Sequence, residues 1–480
     1  MLFNSPEFLV FLPIVFGLYW FVTQRNLRAQ NLLLLVASYV FYGWWDWRFL
    51  GLIALSTLVD YFVGIRIEEA DDRQRKKRWL WVSLAVNLGI LAYFKYANFF
   101  IENWITAWDS LGVTMHASTL QIILPVGISF YTFQTLSYSI DIYRGNLKAT
   151  RDPVAFAAFV SFFPQLVAGP IERATNLLPQ ITSPRTFTYE QGRDGMRLIL
   201  WGMFKKVVVA DSCAPYVDMC FDGPAQHHPV TLFLGLIFFA FQIYGDFSGY
   251  SDIAIGTAKL FGVELMSNFK TPFFAKSVPE FWNRWHISLN TWMNDYVFFP
   301  MAFAWRKAKK KGVMAAVLLT FLISGLWHGS DWKFVLWGAI HGIAFVPYIL
   351  SQKRPGNLFA SHKHEGNELK LPTLRNLGMM AIPIGVNLLA WIFFRADSVS
   401  HGWDYLRAMT YWNPDYDIRF DYYALIAGFS ILIVDWTHQD VEQNPLSRFP
   451  DWLRWVLYPL IFWLIVRNLA NPSSFIYFQF

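Results

Sequence analysis

The chain has 480 residues, of which 55% are hydrophobic, 19% are aromatic and only 15% are charged. Soluble domains are nearer a quarter charged, and 46 Phe, 23 Trp and 22 Tyr exceed what one water-soluble core can bury. We therefore predict an all-α polytopic membrane protein. The net charge of +6 reflects Lys and Arg in loops, as membrane topology requires, and does not indicate a nucleic-acid partner.

Apolar runs of membrane-spanning length recur along the chain, and we predict roughly ten or eleven transmembrane helices around a central tunnel. Spans are predicted near residues 7–23, 30–45, 48–65, 79–98, 119–141, 230–245, 313–327, 332–350, 375–395, 420–437 and 452–470. Shorter or more polar pieces, which suit re-entrant or interfacial helices, lie at 154–168, 196–212, 250–266 and 281–300. With no internal repeat or long linker, residues 1–480 are predicted to form a single integral-membrane domain.

Charged loops predict the orientation. The first apolar run lacks a positive n-region and a small-residue cleavage site, so we expect a retained helix and not a signal peptide. Arg25 and Arg28 follow the first span and Arg66–Arg78 follows the third, which places these loops in the cytoplasm and the N-terminus outside. Further cytoplasmic segments are predicted at Arg144–Arg151, Arg306–Lys311 and Ser351–Lys370.

Neither the cysteines nor the acidic pair in the middle of the chain predicts a metal site. Cys213 and Cys220 do not form a CxxC motif, which argues against a disulfide framework or a thiolate site. Asp246 and Asp252 lie in the apolar stretch Tyr244–Gly256, and two carboxylates suggest a metal or acid–base role. No further ligands follow at suitable spacing, so helix N-capping is favoured. No metal and no bound cofactor are expected.

Two other segments combine apolar sequence with polar side chains. The segment Leu124–Arg144 is rich in hydroxyls, which indicates either hydrogen bonding between membrane helices or the lining of a polar path. Three prolines and a glycine break Phe162–Gln180 into short pieces that suit a re-entrant loop. Glu172 and Arg173 at that break either pair locally or anchor a substrate, and the second alternative has the weaker support.

The segment Phe281–Phe299 is predicted to be one helix with a polar stripe formed by Asn283, His286, Asn290 and Asn294. The opposite face is apolar and mostly aromatic: Trp282, Trp285, Leu289, Trp292 and Tyr296. An interfacial amphipathic helix would carry Lys and Arg on its polar face. Three Asn and one His instead favour the wall of a confined polar cavity.

The apolar segment Leu318–Phe345 carries two histidines. Ionisable side chains at membrane depth are costly and indicate function. Gly325 and Gly329 flank His328 and predict a break in the helix, which a bilayer tolerates where protein or a wet cavity surrounds it. His341 follows thirteen residues later, about 20 Å along a continuous helix. We therefore interpret His328 as a site residue and His341 as a packing residue.

These segments resemble a known family. The matching blocks run in family order from about Met1 to Leu350: LPVGISFYTFQTLSYSIDIYRG, FFPQLVAGPIER, FQIYGDFSGYSDIAIG, NFKTPFF, EFWNRWHISLNTWMNDYVFFP and GLWHG. Together they resemble the membrane-bound O-acyltransferase (MBOAT) family, in its bacterial branch of alginate O-acetyltransferases and the teichoic-acid D-alanylation membrane protein.

The resemblance implies a membrane-embedded tunnel, with catalytic blocks over about residues 124–350. It implies that His328 is the active-site histidine of the WHG block and that His286 is the second histidine, in the WxxWHxS block. Further substrate or tunnel residues are predicted among the neighbours of these blocks: Asn283, Asn290, Asn294, Trp285, Trp327 and Asp246. Alginate-type relatives continue into a Leu-Gly-Gly loop where this chain has Pro300–Trp305, so the acceptor or partner is open.

The resemblance also implies a protein of the bacterial inner membrane. The donor would be a cytoplasmic acyl thioester such as acetyl-CoA, and the acceptor a hydroxyl of an alginate-like or other surface polysaccharide, or a periplasmic partner protein. An imidazole titrates near neutrality, so His328 is the predicted general base, assisted by His286. The alternatives are a glycan transporter or flippase, against which the lack of an inverted repeat argues, and a non-catalytic membrane subunit of a secreted acetyltransferase complex.

Overall fold

The computed structural model describes residues 1–114, 119–120, 122–352, 372–412, 416–438, 445–469 and 475–476. Within these ranges the chain forms α-helices, π-helical turns and 3-10 turns, and it contains no β-strand. The prediction of an all-α protein is confirmed. Most of the polar loop predicted at Ser351–Lys370 lies outside the described residues.

Six helical segments of the described chain are long and apolar enough to cross a membrane, which confirms a polytopic membrane protein. They are Leu27–Glu69, Arg73–Asp109, Pro229–Leu260, Arg306–His328, Trp332–Ser351 and Leu374–Arg395. The first of them contains two helices of 20 residues each. Shorter apolar helices occur at Pro6–Val22, Pro153–Leu166 and Tyr422–Thr437. The predicted total of ten or eleven spans stays a prediction.

The Cα positions divide the chain into two compact units. The first unit comprises Met1–Gly195 and Thr257–Met266, and the second comprises Met196–Gly256 and Ser267–Phe480. A single functional domain over residues 1–480 stays a prediction.

Four helices of the first unit begin at short polar side chains. Ser5, Asn26, Asp72 and Asp152 each accept a hydrogen bond from the first turn of the helix that follows, which satisfies main-chain donors that have no helical partner. The helices of this unit are α1 (Pro6–Gly17), α2 (Leu27–Asp46), α3 (Leu50–Glu69), α4 (Arg73–Leu91), α5 (Ala97–Asp109), α6 (Ile128–Arg144), α7 (Pro153–Ser161), α8 (Phe163–Leu166) and α9 (Ala174–Thr182).

A buried carboxylate joins three helices of the first unit. Asp60 on α3 accepts hydrogen bonds from Ser83 Oγ (2.5 Å) and Asn87 Nδ2 (2.6 Å) of α4, and from Ser139 Oγ (2.6 Å) of α6. Thr135 Oγ1 of α6 also donates to Asn87 Oδ1. Polar side chains inside a helix bundle need such partners. Of the two interpretations of Leu124–Arg144, the structure therefore supports hydrogen bonding between helices.

The proline-rich segment after α7 forms short helices, as its sequence predicts. Glu172, between α8 and α9, is fully buried and accepts hydrogen bonds from the main-chain N of Met266 (2.5 Å) and from Asn176 Nδ2 (2.7 Å). Burial raises the pKa of Glu172 to about 7, and the two hydrogen bonds and Arg173 oppose this shift. Glu172 thus holds the main chain of Met266 in place. Its role in anchoring a substrate stays a prediction.

The second unit packs its helices around an aromatic core that includes Trp201, Phe239, Trp282, Trp337 and Trp391. The boundary between the units passes through α10 (Tyr189–Met203) and α12 (Pro229–Leu260). The other helices of the second unit are α11 (Asp211–Asp222), α13 (Val278–Arg284), α14 (Ile287–Met293), α15 (Phe299–Ala304), α16 (Lys309–His328), α17 (Trp332–Ala344), α18 (Val346–Ser351), α19 (Leu374–Arg395), α20 (Val399–Thr410), α21 (Tyr422–Thr437) and α22 (Asp451–Asn468).

Helix α12 corrects two predictions. It runs without interruption for 32 residues, whereas the sequence suggested a span near 230–245 and a separate short helix from 250. Asp246 and Asp252 therefore lie inside the helix, and the prediction that they cap helices is wrong. A helix interior offers a carboxylate no unpaired main-chain N–H, so both carboxylates take partners elsewhere.

Those partners are two consecutive lysines on the π-helical turn Phe204–Ala210. Lys205 Nζ lies 2.7 Å from Asp252 Oδ2. Lys206 Nζ lies 2.9 Å from Asp246 Oδ1 and 2.8 Å from Asp211 Oδ1, and all three side chains are buried. Opposite charges compensate each other in this low-dielectric core.

Glycines allow α16 and α17 to pack closely. A Cβ atom at Gly325 of α16 would overlap the carbonyl oxygen of Phe334, and one at Gly338 of α17 would overlap that of Phe321. The helix break predicted around His328 is confirmed at Gly329, and α16 continues through Gly325 to His328. Gly325 instead provides the space that α17 occupies, and Gly329 is the residue at which the helix ends.

Candidate active site

The sequence around His286 is not one helix. Helix α13 ends at Arg284 and α14 begins at Ile287, with Trp285 and His286 between them. His286 has φ 46° and ψ 52°, the left-handed region, which few residues other than glycine adopt. The predicted continuous helix over Phe281–Phe299 is therefore wrong, and the polar stripe on one helical face does not form.

Main-chain hydrogen bonds on both sides hold this break in place. The N–H of Lys270 donates to the carbonyl of Arg284 (2.8 Å), and the N–H of Ile287 donates to the carbonyl of Asn268 (2.9 Å). Asn290 Nδ2 also donates to the carbonyl oxygens of Trp282 (2.7 Å) and Trp285 (2.6 Å). The freed backbone groups are thus satisfied, which is what allows a strained conformation to persist at a functional site.

The imidazole of His286 is almost completely buried. Its Nδ1 lies 3.1 Å from Asn268 Oδ1, and its ring contacts those of Phe247 (centroids 4.6 Å apart) and Trp327 (5.9 Å). His286 lies outside the six spanning segments, and burial lowers its pKa to about 3. The ring is therefore neutral at physiological pH.

His328 is the last residue of α16, and its side chain lies near that of His286. Aromatic rings surround its imidazole: Trp327 and Trp337 at 4.9 Å and Phe394 at 5.4 Å between centroids. Its ring centroid lies 6.4 Å from that of His286. The structure thus brings together the two histidines that the sequence singled out, within an aromatic surround that limits the access of water.

Comparison with known proteins identifies the family. The model of the MBOAT, membrane-bound O-acyltransferase family, matches residues 147–354, which include both histidines. A protein of Azotobacter vinelandii named "Probable alginate O-acetylase AlgI" is 41% identical over 413 residues, covering 85% of this chain and 78% of that protein. The chain belongs to the membrane-bound O-acyltransferase family. It is an O-acyltransferase.

Other relatives differ in the acceptor that their names state. The "Peptidoglycan O-acetyltransferase" of Helicobacter pylori is 33% identical over 439 residues, covering 85% of this acyltransferase and 80% of that protein. The "Teichoic acid D-alanyltransferase" of Bacillus subtilis is 29% identical over 238 residues, covering 48% of this chain and 60% of that protein. Similar sequences therefore serve different acceptors.

Of the other predicted site residues of this acyltransferase, two are aromatic neighbours of the histidines. Trp327 contacts the rings of both His286 and His328. Trp285 precedes His286 and stacks on Phe281 in the core, with centroids 5.5 Å apart. Both tryptophans are buried next to the two histidines.

The predicted asparagines do not share one surface. Asn283 is half-buried on α13, before the break. Asn290 and Asn294 line a cavity of about 20 Å³ together with Thr320 and Ser324 of α16, one turn or more before His328. Asn290 also holds the main chain of α13, as described above. Asp246 pairs with Lys206 inside the core, and its predicted role in binding substrate is untested.

His341 is enclosed by aromatic rings. Trp282 and Trp337 lie with centroids 4.8 Å from its own, and Phe321 lies at 5.9 Å. It is fully buried, and neither ring nitrogen has a hydrogen-bond partner among the residues that the structure describes. This environment agrees with the interpretation of His341 as a packing residue.

Sequence reasoning missed Asn268, which contacts His286 through its side chain and Ile287 through its main chain. One amide among loop residues gives no signal by composition or periodicity, although the resemblance block NFKTPFF begins with it. Among the described residues, no group of three His, Cys, Asp or Glu side chains is arranged to hold a metal ion.

Proposed function

We propose that this acyltransferase moves an acetyl group from a cytoplasmic thioester, acetyl-CoA or a related donor, to a hydroxyl group on the far side of a bacterial inner membrane. The acceptor is a cell-surface polysaccharide, alginate-like or another glycan, or a periplasmic partner protein that completes the transfer. The names of the relatives support an acetyl group and a polysaccharide acceptor. The basic loops support a cytoplasmic donor side and an external N-terminus.

The observation that carries the mechanism is the proximity of His286 and His328. Two imidazoles whose centroids are 6.4 Å apart allow a single oxygen atom to lie within hydrogen-bond reach of both. Acyl transfer to a hydroxyl requires a base that takes the hydroxyl proton. We assign this role to His328, and to His286 an assisting role in orienting the reacting groups.

The reaction then balances as follows. The acceptor oxygen attacks the thioester carbonyl while its proton passes to His328. The tetrahedral intermediate collapses, the C–S bond breaks, and the leaving thiolate takes up the proton that His328 holds. The products are an acetyl ester and a free thiol. The aromatic shell of Trp327, Trp337 and Phe394 excludes water, which would otherwise compete as nucleophile.

The proposal is tested by the transfer of radiolabelled acetyl groups from acetyl-CoA in proteoliposomes that contain the purified protein and its acceptor. We expect His328→Ala to lose transfer by about 10²–10⁴-fold, the usual contribution of a general base. Wild-type transfer by His328→Ala would sink the assignment of the base.

The matched control is His341→Phe, which replaces another buried histidine of the same unit by an aromatic ring inside an aromatic cage. We expect it to keep transfer within a few-fold of wild type. If His341→Phe loses as much activity as His328→Ala, the loss reflects packing and not base catalysis.

A further inference from the structure

The side chain of Asn268 contacts His286 at Nδ1. We propose that Asn268 is a positioning residue: it holds His286 in the tautomer with the proton on Nδ1, so that Nε2 accepts a hydrogen bond from the acceptor molecule and donates none. The consequence for catalysis rests on the proposed acyl transfer. The tautomer rests on the hydrogen bonds alone.

The first step is the orientation of the Asn268 amide. The atom assigned as Oδ1 lies 3.3 Å from the main-chain N of Ser288 and 2.9 Å from Ser288 Oγ, and Nδ2 donates to Ser251 Oγ over 3.1 Å. A main-chain N–H can only donate. The reversed amide would place an NH₂ group against that N–H, so hydrogen-bond complementarity fixes the oxygen on this side.

The second step concerns the imidazole. Nδ1 of His286 lies 3.1 Å from the same oxygen, and a carbonyl oxygen accepts but never donates. Nδ1 must therefore carry a hydrogen. A neutral imidazole has one N–H, so its lone pair is on Nε2. Burial keeps the ring neutral, which agrees with this assignment.

The third step is the main chain. Asn268 also accepts the N–H of Ile287 through its carbonyl oxygen, and this bond closes the left-handed turn at His286. One residue thus fixes both the backbone and the ring of His286. Asn268 itself is 1% exposed and is held by Ser251 of α12. Because Asn268 is itself held in place, it keeps the imidazole of His286 within the narrow range of positions that catalysis needs.

This tautomer decides between two roles for His286. A neutral ring whose hydrogen points to Asn268 has no N–H left to stabilise an oxyanion. It can accept a hydrogen bond at Nε2 from a neighbouring hydroxyl of the acceptor, while the attacking hydroxyl gives its one proton to His328. The ring of His286 contacts the titratable ring of His328, and it also contacts Phe247, Trp327 and Asn268.

The tautomer is measured directly by ¹⁵N NMR of the full-length protein in detergent with ¹⁵N-labelled histidine, in which a His286→Gln spectrum assigns the signals of His286. We expect a protonated Nδ1 and a lone-pair Nε2 at neutral pH. The reverse pattern overturns the proposal. This readout does not depend on activity, so it decides the role of Asn268 even if acetyl-CoA proves not to be the donor.

The pH profile gives a second readout, which a merely structural role would not move. Asn268→Asp keeps an oxygen acceptor for Nδ1–H and adds a negative charge, which stabilises the imidazolium and raises the pKa of His286. We expect the acid limb of kcat/KM for acetyl transfer to shift to higher pH, since activity needs the neutral ring. An acid limb that coincides with that of the wild type overturns the proposal.

Asn268→Leu removes the acceptor and keeps the size of the side chain. We expect kcat to fall by about 10–100-fold, the usual effect of losing an orienting hydrogen bond, with the KM for the thioester within twofold of wild type. The control is Asn387→Leu, a buried amide of α19 that donates to Pro383 one turn earlier. If both variants lower kcat equally, or Asn268→Leu raises KM instead, Asn268 does not position His286.

Discussion

The imidazole rings of His286 and His328 lie with their centroids 6.4 Å apart and their planes inclined by 54°. They reach this arrangement by different means. His286 stands at a break between two short helices, where the backbone turns left-handed, and His328 ends a 20-residue helix. The separation suits two groups that act on one small substrate atom, and it is too large for a direct hydrogen bond between the rings.

In the proposed mechanism both rings act on the same acceptor, so the effects of removing them should not add. We expect His286→Ala and His328→Ala each to lower kcat strongly, and the double variant to be no more than about tenfold worse than the poorer single variant. Residues that act as a unit behave in this way. Single-turnover acetyl transfer measures all three variants. Losses that multiply would show that the two histidines contribute independently.

The close packing of α16 on α17 should be needed to place His328. Gly325→Ala adds a Cβ atom that overlaps the carbonyl oxygen of Phe334. A main-chain atom cannot move aside as a flexible side chain can, so the end of α16 must shift. We expect at least a tenfold loss of kcat and a lower Tm in detergent, because small misplacements of catalytic groups are expensive.

Gly378→Ala is the matched control. Gly378 is also helical, in α19, and a Cβ atom there meets nothing within 4 Å. We expect unchanged acetyl transfer and a Tm equal to or slightly above that of wild type, since Ala favours helix over Gly by roughly 1 kcal/mol. Equal losses in the two variants would show that helix propensity, and not the contact with Phe334, is responsible.

Much of this architecture follows from sequence because its signals are local. Apolar runs of spanning length mark most of the long helices, and ionisable residues within apolar sequence mark His286 and His328. The polar side chains of α6 indicate either hydrogen bonding between helices or a polar path, and the structure supports the first. Their partner is Asp60 of α3, which lies 79 residues from Ser139 in the sequence. No local sequence pattern connects these two residues.

The features that sequence analysis missed depend on distant partners. Nothing between Arg284 and Ile287 marks a helix break, since no Gly or Pro occurs there and the break is held by the remote segment that carries Asn268. Asp246 and Asp252 resemble capping residues, so the sequence did not predict that α12 is continuous. In the structure Lys205 and Lys206 neutralise the two carboxylates inside the helix. Tertiary contacts override the local signal in both cases.

Lys206 should be essential for folding. Lys206→Met removes the positive charge between Asp211 and Asp246 and leaves two buried carboxylates uncompensated. Breaking a buried ion pair on one side destabilises proteins by about 3–5 kcal/mol. We expect a strongly reduced yield of folded protein, measured by fluorescence-detected size-exclusion chromatography after solubilisation.

The control for Lys206→Met is Arg407→Ala, which breaks the exposed pair with Asp404 on α20. Water screens exposed pairs, so we expect wild-type yield. The triple variant Lys206→Met, Asp211→Asn, Asp246→Asn removes the uncompensated charge and should recover part of the folded yield. No recovery would mean that Lys206 acts through packing and not through charge.

Glu172 should make stability depend on pH. Its pKa is about 7 in the folded protein against an ordinary value of 4.5, so between these pH values the folded state binds more protons than the unfolded state. Stability therefore falls as the pH rises through this window, by up to roughly 3 kcal/mol above pH 7. Glu172→Gln lacks this titration and keeps an oxygen for the N–H of Met266. We expect its Tm, relative to wild type, to rise between pH 5 and pH 8.

Thermal unfolding in detergent at matched scan rates measures this difference. Glu190→Gln is the control, because Glu190 is exposed at the start of α10 and its replacement should shift Tm equally at both pH values. A Tm difference between Glu172→Gln and wild type that is the same at pH 5 and pH 8 would show that Glu172 is already ionised when folded. In that case the hydrogen bonds from Met266 and Asn176, and not burial, would dominate its titration.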